Sequence, residues 1–482
     1  LSVFTPGRYD RSQQVRLIAP ARVDNQRVGV DPVTGRTFFA SQIGALVPGV
    51  GNPANGLAVA GQNGYPKGLI DGYGTLFGPR FGFAVDVFGN SKTAVRGGIG
   101  MFYNRPNMSF NYLRFAGQAP FVSTPILNYG TLATLGSSSG VEFPQAINGF
   151  DQESRCPRVI NYSFSVQQNV GYGTVVDVGY VGSLGRNLMW LNNVNPVPFG
   201  ANFNPANADP TNPATPLAAS FLRPIIGYND ISISEAAASS SYHSLQVTAR
   251  RRFTSGLQFG LAWTWSKALD YNDSDNAAVS SLVPASVWNY GLASFDRTHV
   301  FKLDWMYDVP NSPWKSLPAR LLLNDWQLSG ITSFVSGQPL GIGYSTTVGY
   351  DATGTASQGA RVVVLDNPVI PKNERTFSRN FRTDVFRLPA RGTIGNAART
   401  QIRGPGNNNW DIAVFKDFPL VREPMRFQFR WELYNAFNHT QFSGVDTTAR
   451  FDLQSVQTNT RFGEFTSARS ARVMQLALRF YF

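Results

Sequence analysis

The feature that most constrains this chain is a two-residue alternation of apolar and polar side chains, carried in segments of about ten residues that short turns join in pairs. From Arg80 to Phe88, Phe81, Phe83, Val85 and Val87 share one side. After the turn Gly89 to Lys92, Thr93 to Asn104 repeats the pattern with Val95, Ile99, Met101 and Tyr103. A second pair runs from Val159 to Val170 and from Thr174 to Ser183, closed by Gly171 and Gly173; a third runs from His243 to Phe253 and from Leu257 to Lys267, joined at Thr254 to Gly256. In the third pair Leu257, Phe259, Leu261, Trp263 and Trp265 form an unbroken apolar row, while Gln258, Gly260, Ala262, Thr264 and Ser266 form the other side. That second side is small and polar, as a watery lumen requires and a packed core does not. Thr298 to Val309 with Asp325 to Val335, and Asn409 to Lys416 with Met425 to Tyr434, make the fourth and fifth pairs, and Arg472 to Phe482 ends the chain.

The expected fold is therefore all-β: an antiparallel transmembrane β-barrel portion of about 11 strands with long extracellular loops. An odd strand count does not close a single-chain bacterial barrel, so further strands are expected upstream. Short turns near 90, 172, 255, 313 and 420 go to the periplasm, and the long stretches 105–157, 184–242, 268–297, 336–408 and 435–471 go outside. Residues 1–79 have the same Gly, Pro and Asn character and are expected as an extracellular loop region preceding the barrel part at 80–482.

Composition agrees with a wall that faces lipid. Charged residues are 15% of the chain and aromatics 13%, against about a quarter charged in soluble domains. No apolar run reaches the roughly 18 residues of a transmembrane helix, so any crossing is made by strands that close on themselves and satisfy every backbone group. One cysteine, Cys156, leaves no disulfide framework. The net charge of +12 and the run Arg250-Arg251-Arg252 raise nucleic acid as a partner, but the run sits in an alternating strand with no aromatic platform and reads as solvated lumen or rim charge.

Chemistry of the catalytic kind finds little support. His243, His299 and His439 stand near strand ends without ligand spacing, so no metal and no cofactor are expected and the protein reads as no enzyme. Gly97-Gly98-Ile99-Gly100 lies within a strand, where small residues relieve crowding. Asp270 to Asp275 starts like a calcium loop, but Asp275 stands where glycine is needed and Ser281 where the bidentate Glu belongs, which leaves at most a surface cation site. The better functional candidates are lumen-facing charges: Arg80, Asp86, Arg96, Asp177, Arg250, Lys302, Asp304, Asp411, Arg430, Glu432 and Arg479. They are suited to docking a plug, lining a solute path, or pairing among themselves.

Several strings resemble the barrel of Oar-like TonB-dependent transporters. They are Gly78 to Ala84 with Arg96 to Gly100, Thr264 to Asp270, Asp296 to His299, Trp326 to Gly330 running into Ser336 to Pro339, Gly404 to Gly406 leading to Trp410-Asp411, and Phe427 to Phe442 with Phe429 to His439 at its centre. The resemblance spans roughly 75–482, and the joint order of the motifs carries it. It implies a barrel of about 22 strands with a plugged lumen, an N-terminal plug and a TonB-contacting box that this chain lacks, and import of a solute across the Gram-negative outer membrane with energy coupled through a TonB-type protein. The final strand, with Met474, Leu476, Leu478, Phe480 and Phe482 on one side, resembles the C-terminal signal read by the barrel-assembly machinery. Two other readings stay open: a passive porin or barrel enzyme, and a soluble carbohydrate-binding β protein, which would need a second sheet over the aromatic rows.

Overall fold

In a computed structural model, which describes all residues except 106–112, 129–130, 132–139, 154, 315 and 421–424, eleven strands follow one another in an antiparallel sheet, each paired with its sequence neighbour among them. They are β1 (Arg80–Asp86), β2 (Thr93–Tyr103), β3 (Arg158–Gly171), β4 (Thr174–Asn193), β5 (Tyr228–Thr254), β6 (Leu257–Asp270), β7 (His299–Asp308), β8 (Trp326–Val335), β9 (Asn407–Pro419), β10 (Arg426–Tyr434) and β11 (Val473–Tyr481). Among the described residues β1 and β11 do not pair with each other, so the sheet is open at both ends.

The turns explain the register. Tyr172 and Gly173, and likewise Ser255 and Gly256, sit at positive φ (51° and 69°, 52° and 76°) between the closing pairs Gly171–Thr174 and Thr254–Leu257. Positive φ at both central residues is the two-residue turn whose twist matches that of the flanking strands. With the hairpins pinned, facing residues line up across the whole sheet. One apolar line runs Val85, Val95, Val166, Val178, Val247, Trp263, Phe301, Phe334 through successive pairs. A one-residue slip at any strand would send its row to the wrong face.

Among the described residues no second sheet covers this apolar face. Leu476 and Leu478 are each 67% exposed, and Trp265 is 53% exposed. The buried apolar clusters lie elsewhere, in the long-loop regions and in the strand extensions that join them. A soluble sandwich would bury these rows against another sheet. Here glycines let rings lie flat on the wall. A Cβ at Gly97 would come within 2.5 Å of the Phe83 ring, and one at Gly330 within 2.8 Å of Trp305. The glycine-rich stretch Gly97 to Gly100 thus makes room for side chains within a strand.

The structure differs from the alternation pattern at the long-loop end. β4 runs to Asn193 and β5 begins at Tyr228, well beyond the segments expected at 174–183 and 243–253. Past the irregularity at Arg186 and Leu188 the extension leaves the apolar wall, and Ile231 and Ile233 pack with Phe4, Ile147 and Tyr228. Residues 1–79 are also more ordered than their composition suggests. Ser2–Phe4 pairs with Leu57–Val59 and touches the short strand Gln145–Phe150, which lies parallel to β5. Ala19–Val23, Gln26–Val30 and Thr37–Phe38 form a separate small sheet. Strands outside a bilayer need no continuous apolar row, so period-two reading cannot find them.

The two faces make opposite demands on a charge. In the full-length protein folded into lipid vesicles, Leu261→Arg on the apolar face is expected to lower unfolding stability in urea by about 2–4 kcal/mol. Thr264→Arg, on the polar face of the same strand, should stay within about 0.5 kcal/mol. Equal losses would place both faces in the same environment.

Candidate functional site: the polar face of the sheet

The register puts all eleven charged candidates on the face opposite the apolar rows. One polar line runs Asp86, Ala94, Gln167, Asp177, Thr248, Ala262, Lys302, Ser333, Asn409. Another joins Arg250, Gly260, Asp304, Ile331 and Asp411. Arg80 and Arg96 face Gly100 and Ala84, Glu432 faces Gln475, Arg430 faces Ala477 and Arg479 faces Gln428. Gly260 leaves room for its neighbour, since a Cβ there would lie 2.7 Å from the Asp304 carboxylate.

Among the described residues none of the eleven forms an ion pair. Their partners are neutral. The Arg430 guanidinium donates to Gln428 Oε1 (2.6 Å) and Tyr481 Oη (2.9 Å) and lies 5.3 Å from the Phe415 ring centre. Asp411 accepts from the Asn409 amide (2.9 Å) and from the Asn435 backbone N–H (2.9 Å). Asp86 accepts from the Ser91 backbone N–H in the first turn (2.7 Å), and Arg80 stacks on Phe102 at 4.6 Å. A groove of about 400 Å³ passes Asp304, Ser329, Asp411, Glu432 and Tyr434. Charges this close to hydrocarbon and unpaired require water or a polar partner against their face.

Two cations sit on the apolar face instead, near the short turns. Lys416 is buried and sends its ammonium to the Asn324 carbonyl (2.5 Å) and the Asp417 carbonyl (2.9 Å), beside the Trp326 and Phe418 rings. Arg251, central in the basic run, donates to the Thr254 carbonyl at 3.1 Å. Both side chains reach along the wall toward its end, as long cationic stems do at a membrane interface. Parity reveals which face they occupy, but not that the turns receive their charge.

The histidines are part of an aromatic belt at the long-loop end. His243 Nδ1 lies 2.7 Å from Tyr180 Oη and 3.3 Å from Tyr162 Oη. The His299 ring stacks on Trp263 and Trp265, with interplanar angles of 8° and 13°, and His439 lies beside Phe437. Beyond the belt Arg399 ties two loops, with Nη1 at 2.5 Å from Asp270 Oδ1 and Nη2 at 2.8 Å from Asp273 Oδ2. The positive charge facing these carboxylates is thus a guanidinium. Burial disfavours the Asp273 charge, yet the Ser294 N–H and Arg399 outweigh it and hold that carboxyl below the ordinary range. At the other extreme, Phe482 is 90% exposed, and Phe480 packs on Phe427 with ring centres 4.9 Å apart.

An open sheet with one continuous apolar face, one charged face, an aromatic belt and short turns at one end has the anatomy of an outer-membrane barrel wall. A family model described as the outer membrane beta barrel domain matches residues 8–475, and the chain belongs to that family, whose place is the outer membrane of Gram-negative bacteria. Among solved structures it is similar to the outer membrane transporter YddB from Escherichia coli, at 9% identity and a TM-score of 0.40, covering 84% of this chain and 40% of that one. The FrpB iron transporter from Neisseria meningitidis gives 11% identity and a TM-score of 0.38 over 84% and 39% of the two chains. The ferric-catecholate import receptor Fiu from Escherichia coli K12 gives 9% and 0.36 over 94% and 40%. The chain thus spans about 40% of the length of these structures. No curated protein matches the sequence.

Arg399 offers a test of the loop assembly. Replacing it with Gln leaves two facing carboxylates without their cation, at a cost of about 1–3 kcal/mol. Cleavage of the 336–408 loop by added protease in intact outer membrane is expected to rise about tenfold or more, with the wall strands unaffected. Unchanged protection would show that the Arg403–Asp296 pair and the apolar clusters hold the loops without Arg399.

Proposed function

We propose that this chain is the C-terminal half of the barrel of an Oar-like TonB-dependent receptor, which imports a solute across the outer membrane with energy coupled from the inner membrane. The observation that carries the reading is the charged face. Six cations and five carboxylates lie along one side of the sheet without an ion pair among the described residues. An ordered polar plug would supply partners to such a face, and a solute path would run beside it. The free edges of β1 and β11 support the same reading, because unpaired strand edges in hydrocarbon cost several kcal/mol per backbone group. Strands from a preceding segment would pair with both and bring the total toward about 22. On this reading residues 1–79 form extracellular structure ahead of the barrel part at 80–482, and coupling to a TonB-type protein runs through the preceding region. The solute is set by the loops and the plug.

The test uses the full-length protein with photo-crosslinking residues in place of Asp304 and Arg430. Expected are internal crosslinks to a segment N-terminal of this chain, and no steady open-pore current in planar bilayers. A large constitutive conductance without such crosslinks would favour a passive porin and reject the receptor.

The last strand is proposed to recruit the barrel-assembly machinery through Met474, Leu476, Leu478, Phe480 and Phe482. Deleting Phe482 from the full-length protein should remove most of the heat-modifiable, folded species from the outer membrane. Once folded, the variant should unfold like the parent. Assembly at the parental rate would exclude this role.

A further inference from the structure

Two grooves open on the apolar face at the level where the strands leave the wall. The first, about 690 Å³, has Trp263, Phe301 and Phe334 as its floor and is bordered by Lys372, Arg375 and Arg403 from the overhanging loop. The second, about 660 Å³, is walled by Tyr180, Leu245, Trp265 and Leu292 and carries Lys267 together with the same Arg403. The stacked rings of Trp263, His299 and Trp265 form the ridge between them. Among the described residues no carboxylate lines either groove. Arg403 is anchored from behind by Asp296, at 2.6 Å, and donates to the Gly337 carbonyl. Lys372 and Arg375 enter no ion pair among the described residues.

An apolar floor continuous with the lipid-facing wall, under cations of which Lys267, Lys372 and Arg375 have no ion pair among the described residues, fits an amphiphile with acyl chains below and anionic groups above. Short turns are periplasmic in such barrels, so this end of the wall meets the outer leaflet. Cations stand on both sides of the ridge, which matches two anionic groups on one headgroup better than one. We propose that these grooves bind the bis-phosphorylated, multiply acylated glycolipid of the outer leaflet. Its acyl chains would lie along the Trp263 and Trp265 rows. One phosphate would meet Lys372, Arg375 and Arg403, and the other Lys267. Charge-assisted bonds from Arg and Lys to phosphate are among the stronger polar contacts, and at this depth they are weakly screened. The inference rests on placement in the outer membrane and is independent of what the protein transports.

The experiment is a native mass spectrometric titration of the delipidated full-length protein with bis-phosphorylated lipid A, its monophosphoryl form and phosphatidylglycerol. Lipid A is expected to bind as a retained adduct, the monophosphoryl form at least fivefold more weakly, and phosphatidylglycerol not to displace it at equal concentration. Lys372→Glu with Arg375→Glu, both in a surface loop, should weaken lipid A binding tenfold or more. Heat-modifiable mobility reports that this variant is folded, and Lys372→Gln with Arg375→Gln should give an intermediate loss without charge reversal. Parental affinity in the folded Glu variant, or displacement by phosphatidylglycerol at equal concentration, would overturn the proposal.

Discussion

Inside hydrocarbon a peptide group has no water to bond with, so every N–H and C=O must find a partner in the chain. The rest of this structure depends on that constraint. It forces the strands into one continuous ladder, and the ladder fixes which side chains share a line from β1 to β9. Once Val85 is opposite Val95, the position of Phe334, seven pairings away, follows. The same arithmetic carries Asp86 to Lys302 on the other side. Separation of solvents is therefore a property of the register, and individual side chains need only be right for their face.

The distribution of apolar packing reflects the same rule. A soluble protein gathers its buried side chains between its sheets. Here the wall borrows its hydrophobic partner from the membrane, and clusters such as Phe381, Phe386 and Phe462 or Phe4, Tyr228 and Ile231 appear where the chain returns to water. Between these regimes lies the belt in which His243 bridges two tyrosines and His299 sits between two tryptophans. Rings with a polar edge suit an interface whose polarity changes over a few ångströms.

The wall was legible in the sequence because its two faces meet different solvents over every strand. Leu257 to Trp265 against Gln258 to Ser266 states both face and element at once, and the terminal row from Met474 to Phe480 does the same. The facing of each charged candidate could be read from parity, since a strand has only two sides. What escaped reading has a common cause. The extension of β5 through Ser239 to Ser241 carries no apolar row, and its buried members, Ile231 and Ile233, meet residues more than 200 positions earlier in the chain. The Lys372 and Arg375 border of the outer grooves was equally invisible, because a long loop folds those cations over Trp263 and no local spacing encodes that return. The seat of Lys416 was not legible either, because one of the carbonyls that receive it, that of Asn324, belongs to the turn before another strand.

The stitching of the first residues into the sheet has a consequence for how the molecule matures. Most neighbouring wall strands are joined by hairpins or single loops, so the wall can form by successive local closures. Ser2–Phe4 instead meets Gln145–Phe150, which lies against β5 at Ile231 to Ser234, and Phe4 packs on Tyr228, Ile231 and Ile233 themselves. Closing contacts across such separations carries a large loop entropy and favours late formation. On this entropic ground the long-loop crown is expected to set last, on hairpins already in register. Its seat depends on register, because a strand displaced by one residue would turn Ile231 and Ile233 away from Phe4 and Ile147.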